Sequence, residues 1–585
     1  MVKNKGWIAV LRMVASIALC YISSLGMGFN PMLRNVLFAL CLISSFRYPK
    51  SYLLVKEKMG MWKTYFLVLL ADFFAVWFFT GIFYIEDGYE WIYNKGYFFL
   101  ISICWLHFVV VYVLSFLLNG GWLFKIDLAT NMNSKKRDIV WLCLFLFINI
   151  LFVIAFNPAI TSPDSEDCYY YSKMLGMAPV PSGHTIFYIA FMKFIFGIFD
   201  SLTFMVFIQI ISFAFVFLRG AHILEAIGVR QLWSTMVLYC VGMGISSIIL
   251  INTIWKDIPY CIALLWFSLS LIRLVVNEKN AISVLWHIEF IVSGTLAGMF
   301  RYNGVLVVGV TGILLLILYR KKLFVALSTL LCCFLICAVI PFYFSKYEQI
   351  DEPGLKYYAL SNDIGYVYYN GGKISVEAQD IVNDLKSGDD YQFDAYYTKM
   401  GRENFNEYTV RSFFPTYLAT LKDNTMIMIE GILKRTSVIW SVSLSRFESV
   451  NGVSYLGESH LIQYEGHYPH RINNFVKDWL ENGIRNITNN DVIYVLYWRT
   501  GIYTLSMVFV LLLLLFRYGR SSIKYILPLL PVMFNMLSYA IASGWPDYRY
   551  YWPMMIISAF VIPYGIFIIT IKNIWQYDKR SILDI

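Results

Sequence analysis

The sequence predicts an all-α polytopic membrane protein with about fourteen membrane-spanning helices and a small α-rich extracytoplasmic domain. The first reason is composition, because 59% of the 585 residues are hydrophobic and only 15% are charged, unlike an ordinary soluble domain. The second is that apolar runs of roughly twenty residues, long enough to cross a hydrocarbon core about 30 Å thick, recur along most of the chain. The third is that Lys and Arg gather mainly between these runs. A lipid bilayer is therefore the expected solvent.

The expected spans follow one another from the amino terminus. They lie near residues 7–25, 32–46, 62–84, 97–118, 138–156, 201–218, 232–250, 257–276, 283–300, 304–319, 323–344, 498–516, 523–542 and 551–572. The basic clusters Arg47–Lys63, Lys125–Arg137, Arg320–Lys322 and Arg517–Lys524 then fall in loops on one side, which the positive-inside rule makes cytoplasmic. Both termini share that side, and a bacterial plasma membrane is the expected location.

One apolar run, Thr185–Phe199, does not fit this scheme as a span. If it crossed the membrane, every later basic cluster would change sides. Its fifteen residues are also short for a hydrocarbon core. We therefore expect a surface-lying or re-entrant helix here.

The predicted topology divides the chain into four parts. Residues 1–137 are N-terminal transmembrane helices, and residues 138–344 are a transmembrane core whose first large outer loop is 157–200. Residues 345–497 form the extracytoplasmic domain, and residues 498–585 form C-terminal transmembrane helices.

Composition argues against a nucleic acid partner and against a disulfide framework. The net charge is +9, but the cations are scattered rather than gathered on a basic face with stacking aromatics, so we expect no nucleic acid partner. All but one of the ten cysteines lie in apolar runs, where they behave as small buried side chains, and no disulfide framework is expected.

Three carboxylates, Asp164, Glu166 and Asp167, lie within four residues just after a predicted span. A carboxylate at a desolvated membrane surface can act as a general base on an acceptor hydroxyl, and its neighbours can orient it or bind a divalent cation such as Mg²⁺ or Mn²⁺. The alternative is an ordinary solvated acidic loop.

Cations recur at three other outer turns, as Lys256, Arg301 and Arg549. Charges at the edge of a bilayer are costly unless they are paired or used, and these cations suit a phosphate whose lipid tail runs down between helices. Polar neighbours that could support them are Asp257, Asn303, Asp547 and His184. Each cation could instead be a snorkelling or topology-setting residue.

Four short motifs carry a resemblance to a known superfamily. They are Ser162-Pro-Asp-Ser-Glu-Asp167, Trp255-Lys-Asp-Ile-Pro259, Phe300-Arg-Tyr-Asn-Gly304 and Pro546-Asp-Tyr-Arg-Tyr550. With a surface helix after the acidic loop, this layout resembles the GT-C membrane glycosyltransferases, which include protein mannosyltransferases and the lipid A aminoarabinose transferase. Many relatives have His-Pro after the acidic loop, where this sequence has His184-Thr185.

The resemblance implies a polyprenyl-phosphate sugar donor and transfer with inversion to an extracytoplasmic glycan, lipid or protein. It makes Asp164 the base, with Glu166 or Asp167 as the alternative. The absence of a glycine-rich phosphate loop from the sequence agrees with a lipid-linked donor rather than a nucleotide sugar.

Two other functions remain open at the level of sequence. A lipid-linked glycan flippase or transporter also has many spans, although such proteins usually place charges at mid-membrane and show inverted repeats. A polysaccharide polymerase or ligase would use basic outer loops in much the same way.

Overall fold

The computed structural model describes residues 13–22, 31–87, 91–119, 134–181, 183–277, 282–350, 358–385, 407–442, 474–542 and 547–570. Within these ranges the chain is helical, apart from connecting turns and one ribbon of two short strands. The predicted all-α fold class is confirmed.

Four helices form the N-terminal part. They are α1 (Met13–Ile22), α2 (Pro31–Met59), α3 (Met61–Asp87) and α4 (Trp91–Asn119). Because α2 continues through Arg47 and Lys58, the loop predicted at this basic cluster is wrong. Lys and Arg are good helix formers whose long side chains can reach polar surroundings from a helix, so these charges do not end α2.

The next part contains most of the predicted site residues. Its elements are α5 (Ser134–Ala155), α6 (Pro163–Met174), β1 (Val180–Pro181), α7 (Ile186–Ile198), α8 (Leu202–Ala226), α9 (Gln231–Met236) with a π turn (Val237–Gly242), α10 (Ile245–Ile251), α11 (Asp257–Val276), α12 (Val284–Phe300), α13 (Tyr302–Leu318), α14 (Leu323–Phe334) with a π turn (Leu335–Val339), α15 (Ile340–Phe344) and β2 (Gln349–Ile350). The strands β1 and β2 pair in parallel and join the chain after α6 to the chain after α15.

The remaining helices belong to the predicted outer domain and the C-terminal part. They are α16 (Tyr358–Tyr369), α17 (Val376–Leu385), α18 (Glu407–Asp423), α19 (Thr425–Arg435), α20 (Ser437–Trp440), α21 (Asn474–Thr488), α22 (Asp491–Trp498), α23 (Gly501–Tyr518) with a 3-10 turn (Gly519–Ser521), α24 (Ser522–Ile526) with a 3-10 turn (Leu527–Leu529), α25 (Leu530–Ala542) and α26 (Tyr548–Thr570). Helices α16–α19 share a small apolar core around Ile364, Phe413 and Met428. That these helices lie outside a membrane stays a prediction.

Eight helical stretches of the described chain are long and apolar enough to cross a membrane, or nine if α9 and α10, which are bent by 56°, count as one span. One of the eight is the continuous run from α23 to α25. Helices α12 and α13 have 17 residues each and fall just below this length. Helix α7 has 13 residues, so it is short of a span, as predicted. The protein is therefore a membrane protein by composition, and the total of fourteen spans stays a prediction.

The most enclosed of these helices are α11 and α26, in whose apolar 18-residue stretches 89% and 78% of the residues, respectively, are buried inside the protein. Helices α11 and α12 run antiparallel, because Asp257 at the start of α11 pairs with Arg301 after α12, while Arg273 near the end of α11 pairs with Glu289. A helix of 20 residues is about 30 Å long. We call the end with Asp257 the site end and the end with Glu289 the far end.

Candidate active site

The three carboxylates of the acidic motif lie on the short helix α6, not in a loop as predicted. Ser162 precedes the helix, Pro163 opens it, and two of the acids lie in its first turn. Ser165 Oγ accepts the Ser162 backbone N–H at 3.0 Å. A serine before the first turn, proline at its first position and acids beside the helix N-terminus are all typical of a helix start, so the sequence did carry this signal.

Backbone contacts hold α6 against the turn before α11. The Ile160 N–H donates to Asn252 O at 3.2 Å, and the Ile254 N–H donates to Ile160 O at 3.1 Å. Ser165 Oγ also donates to Ile254 O at 2.6 Å. These bonds fix the acidic helix beside Lys256 and Asp257, which follow directly.

Arg549 is the cation that contacts the acidic helix. Its Nη1 lies 2.7 Å from Asp164 Oδ2, and its Nε lies 2.9 Å from Asp547 Oδ2. Its backbone N–H donates to Asp547 Oδ1 at 3.0 Å. The guanidinium also lies over the Trp255 ring, 4.8 Å from the centroid. Two carboxylates and an aromatic face therefore determine the orientation of Arg549.

Asp257 links the two predicted phosphate-binding arginines. It forms an ion pair with Arg301, and its other oxygen lies 4.0 Å from Arg549 Nε. The side chain of Asp257 is only 3% exposed. A buried carboxylate between two guanidinium groups keeps both cations at a fixed separation.

Arg301 is the single residue between α12 and α13. The turn is this tight because Gly304 approaches α12 closely: a Cβ added to Gly304 would lie 1.9 Å from the Ala297 carbonyl oxygen. The Arg301 guanidinium carbon lies 5.1 and 5.0 Å from the ring centroids of Tyr539 and Tyr550.

Asn303 faces away from the ionic cluster. Its Nδ2 donates to Asn535 Oδ1 at 3.1 Å and to Ser538 Oγ at 3.0 Å, both on α25. Tyr260 donates to the same Asn535 oxygen at 2.7 Å. Asn303 therefore joins α13 to α25, and the structure does not place it against Arg301 or Arg549.

His184 and Lys256 form the other side of the site. Lys256 Nζ donates to Gly183 O and lies 3.5 Å from His184 Nδ1, while Cys168 Sγ lies 3.3 Å from the same nitrogen. His184 Nε2 lies 3.9 Å from Asp167 Oδ2. Within the described chain, Lys256 makes no ion pair with a carboxylate, in contrast to Arg301 and Arg549.

The surroundings shift the pKa of several of these groups. Partial removal of Asp164 from water would alone raise its pKa, but the charges of Arg549 and Lys256 outweigh that effect and hold the pKa well below its ordinary value. Burial and the nearby Arg301 lower the pKa of Lys256 to about 8. Burial and Lys256 lower the pKa of His184, so its imidazole is neutral at neutral pH.

The carboxylates of α6 do not fit a Mg²⁺ or Mn²⁺ site. Asp164 contacts Arg549, and Asp167 faces His184. Glu166 is partly buried on the same helix. The described residues contain no group of three or more His, Cys, Asp or Glu side chains that could hold a metal ion.

Sequence reasoning missed the residues that support these charges. Trp255 lies under Arg549 and donates its indole N–H to Ser162 Oγ at 2.6 Å. Tyr539 lies beside Arg301, and Cys168 lies beside His184. Trp255 could have been found, because it adjoins Lys256 in a motif that was recognised. Cys168 could have been found too, because it directly follows Asp167 and is the one cysteine outside the apolar runs. Tyr539 has no local signal among so many aromatic and apolar neighbours.

One end of the bundle therefore collects Asp164, Asp167, His184, Lys256, Asp257, Arg301, Asp547 and Arg549. Glu166 lies on the same helix as Asp164, and Asn303 contacts α25 instead. Comparison of the chain with known protein families, with characterised proteins and with solved structures finds no match.

Proposed function

We propose that this protein is a GT-C-like membrane glycosyltransferase. It moves a sugar from a polyprenyl-phosphate donor to a cell-envelope glycan, lipid or protein, with inversion at the anomeric carbon. The observation that carries the proposal is the Asp164–Arg549–Asp257–Arg301 chain of contacts, with Lys256 beside it, at the end of an apolar bundle.

The cations match a lipid-linked phosphate. Arg301 and Arg549 project from the ends of membrane-crossing or near-crossing helices, where the phosphate of a donor would lie if its polyprenyl tail ran between the helices. Lys256 has no carboxylate partner among the described residues, so its charge is available to an incoming anion. Fixed cations around a departing phosphate supply the electrostatic stabilisation that usually dominates such transfers.

Asp164 is the proposed base. Its side chain is 38% exposed, so an acceptor hydroxyl can reach it, but it is also the partner of Arg549. A carboxylate paired with a guanidinium is a weak base. We therefore expect donor phosphate to draw Arg549 away from Asp164 when it binds, which raises the basicity of Asp164. Asp167 is the alternative base and Glu166 the second, since both lie on the same helix.

The transfer step balances without a cofactor. The acceptor hydroxyl gives its proton to Asp164 while its oxygen bonds to the sugar C1. The bond from C1 to the phosphate oxygen breaks, and its electron pair stays on the polyprenyl phosphate. The products are an inverted glycoside, a polyprenyl phosphate and a protonated carboxyl, which returns its proton to water.

The test is reconstitution of the purified protein with radiolabelled polyprenyl-phosphate sugars and membrane-extracted acceptors. We expect Asp164→Asn to lower label transfer by at least about 100-fold while donor binding is retained. Asp200→Asn is the matched control, because Asp200 contacts Lys173 outside the ionic cluster. Donor binding without transfer by the wild type, across the whole panel, would contradict the proposal.

One specific observation favours the alternative function of a transporter. Asp72 and His107 form a polar contact within the apolar spans of α3 and α4, and charges at such depth are typical of transporters. Movement of labelled lipid across the bilayer in the same proteoliposomes, without sugar transfer, would favour that function. A polymerase or ligase would instead transfer whole glycans from a lipid diphosphate.

A further inference from the structure

Three N-terminal helices bring a carboxylate, an imidazole and a phenol into contact. His107 Nδ1 lies 2.7 Å from Asp72 Oδ2, and His107 Nε2 lies 3.0 Å from the Tyr48 hydroxyl. Asp72 lies on α3, His107 on α4 and Tyr48 on α2. Tyr48 also packs edge-on against Phe108, with ring centroids 4.9 Å apart. We call these three residues the Asp72 triad.

Two members of the Asp72 triad, Asp72 and His107, lie deep in apolar spans, whereas Tyr48 lies between Arg47 and Lys50 on α2. Asp72 is the twelfth of the 21 residues in the span Met61–Gly81, and His107 is the eighth of the 20 residues in the span Leu100–Asn119. At about 1.5 Å per residue, Asp72 is therefore about 15 Å from either end of its span. That depth corresponds to the middle of a hydrocarbon core about 30 Å thick.

A structural role alone explains this placement poorly. Placing an ionisable group at mid-membrane costs free energy, so such a group is by default a candidate functional site. An amide and a hydroxyl would pin three helices together at lower cost, since neither carries a charge. A carboxylate next to an imidazole has one property that such groups lack, which is that the pair can hold or release a proton.

The groups that face the triad do not fix its charge. Tyr52 stacks on Tyr48 with a centroid distance of 6.0 Å. Helices α23 and α26, which pack on α3 and α4, carry their charged residues Arg517 and Arg549 at their ends. Helix α19, which also packs on α3, pairs Lys434 with its own Glu430. On α2 itself, Arg47 and Lys50 flank Tyr48, but both side chains are exposed. Within the described chain neither cation forms an ion pair with Asp72, whose partner is His107.

We infer that the Asp72 triad is a proton-binding site within the membrane, a function separate from sugar transfer. With neutral His107 and ionised Asp72, the pair carries one negative charge. One proton from water makes it neutral overall, as imidazolium with carboxylate or as imidazole with carboxylic acid. The Tyr48 hydroxyl donates to Nε2 of the neutral imidazole and accepts from Nε2 of the imidazolium, so it serves both states.

The test uses the full chain in lipid nanodiscs, where infrared difference spectra and net proton uptake are recorded between about pH 5 and pH 8, the range in which imidazole ordinarily titrates. We expect the wild type to show a titrating carboxyl or imidazole signal that Asp72→Asn and His107→Gln remove, with about one proton fewer taken up per chain. Asp200→Asn should leave that signal unchanged, because Asp200 lies in the turn between α7 and α8 and its side chain is 57% exposed.

A second variant covers the case in which Asp72→Asn or His107→Gln does not fold. Tyr48→Phe keeps the ring and removes a hydrogen bond that is stronger to the charged imidazolium than to the neutral imidazole, so we expect the titration midpoint to fall by about half a unit to one unit. A midpoint that stays in place in Tyr48→Phe, or a titrating signal that persists in Asp72→Asn, would overturn the inference. Sugar transfer measured on the same samples tests the glycosyltransferase proposal independently.

Discussion

The two ends of the central bundle both carry ion pairs, but they use their charges differently. At the far end, Glu289 lies between Arg219 and Arg273. The Glu289 side chain is 9% exposed, that of Arg219 18% and that of Arg273 11%. Arg137 is enclosed there by Glu225 and Asp138. The site end has two similar groups, the buried Asp257 and Asp547, but Asp164 and Asp167 are 38% and 49% exposed.

The comparison shows how a charge that only holds the fold together differs from a charge that can bind a ligand. A carboxylate enclosed by its partners at the edge of a bilayer satisfies them and nothing else. A half-exposed carboxylate beside a buried cation can exchange its partner for a ligand. The far end is therefore expected to determine stability, and the site end is expected to determine activity.

The largest effect should come from breaking the site end at Arg549. We expect Arg549→Gln to lower sugar transfer by about a thousandfold, because it removes charge from the departing phosphate and leaves Asp164 and Asp547 without their shared cation. Arg549→Lys should recover part of the loss, since it restores charge but not the forked geometry. The measurement is kcat/KM with saturating acceptor. Equal loss in both variants would mean that shape, not charge, is what the site requires.

The matching change at the far end is Glu289→Gln. It leaves Arg219 and Arg273 facing a neutral amide, which should lower the free energy of unfolding by about 3 kcal/mol. Transfer activity per folded molecule should stay within about twofold, a margin that corresponds to less than 0.5 kcal/mol. Thermal unfolding in detergent and an active-site titration separate the two quantities. A tenfold fall in specific activity at unchanged stability would contradict the view that the far end determines stability and the site end determines activity.

A pH series sharpens the comparison at Lys256. Because its pKa is lowered to about 8, the ammonium loses its charge as the pH rises through that value. We expect donor affinity to fall by up to about tenfold between pH 7 and pH 9. Lys256→Arg should flatten the profile, since a guanidinium stays charged throughout. Asp164 contributes no change in this range, because its pKa lies well below it. An unchanged slope in Lys256→Arg would assign the titration to another group.

The smallest effect is expected at Trp255. Trp255→Phe keeps an aromatic face under Arg549 and removes the hydrogen bond to Ser162 Oγ. The loss of one hydrogen bond is worth about 1 kcal/mol, so transfer should fall by roughly fivefold. Single-turnover rates at saturating donor would measure it. A drop comparable to that of Arg549→Gln would show that the indole N–H orders α6 as a whole.

Much of this arrangement was accessible from the sequence. Long apolar runs fix a helical membrane fold, because only closed backbone hydrogen bonding is tolerated in lipid. Charges just outside several spans, placed on one side by the basic clusters, could then be expected to meet. Asp164, Asp257 and Arg549 do so, although they lie up to 385 positions apart in the printed sequence.

The rest depended on packing that no local pattern reveals. Asp72 and His107 are single polar residues in two apolar stretches, Tyr48 lies in a basic cluster, and only the contacts between α2, α3 and α4 bring them together. The continuation of α2 past Arg47 was missed for the opposite reason, since a cluster of charges looks like a loop when helix propensity is ignored.

The one-residue turn at Arg301 also has a consequence for protein engineering. An inserted residue there would rotate α13 by about 100° relative to α12. Gly304 would then lose its close contact with Ala297, and Asn303 would turn away from α25. Affinity tags, fluorescent labels and loop grafts should therefore avoid this position, and natural variants of the chain should keep its length even where they change its residues.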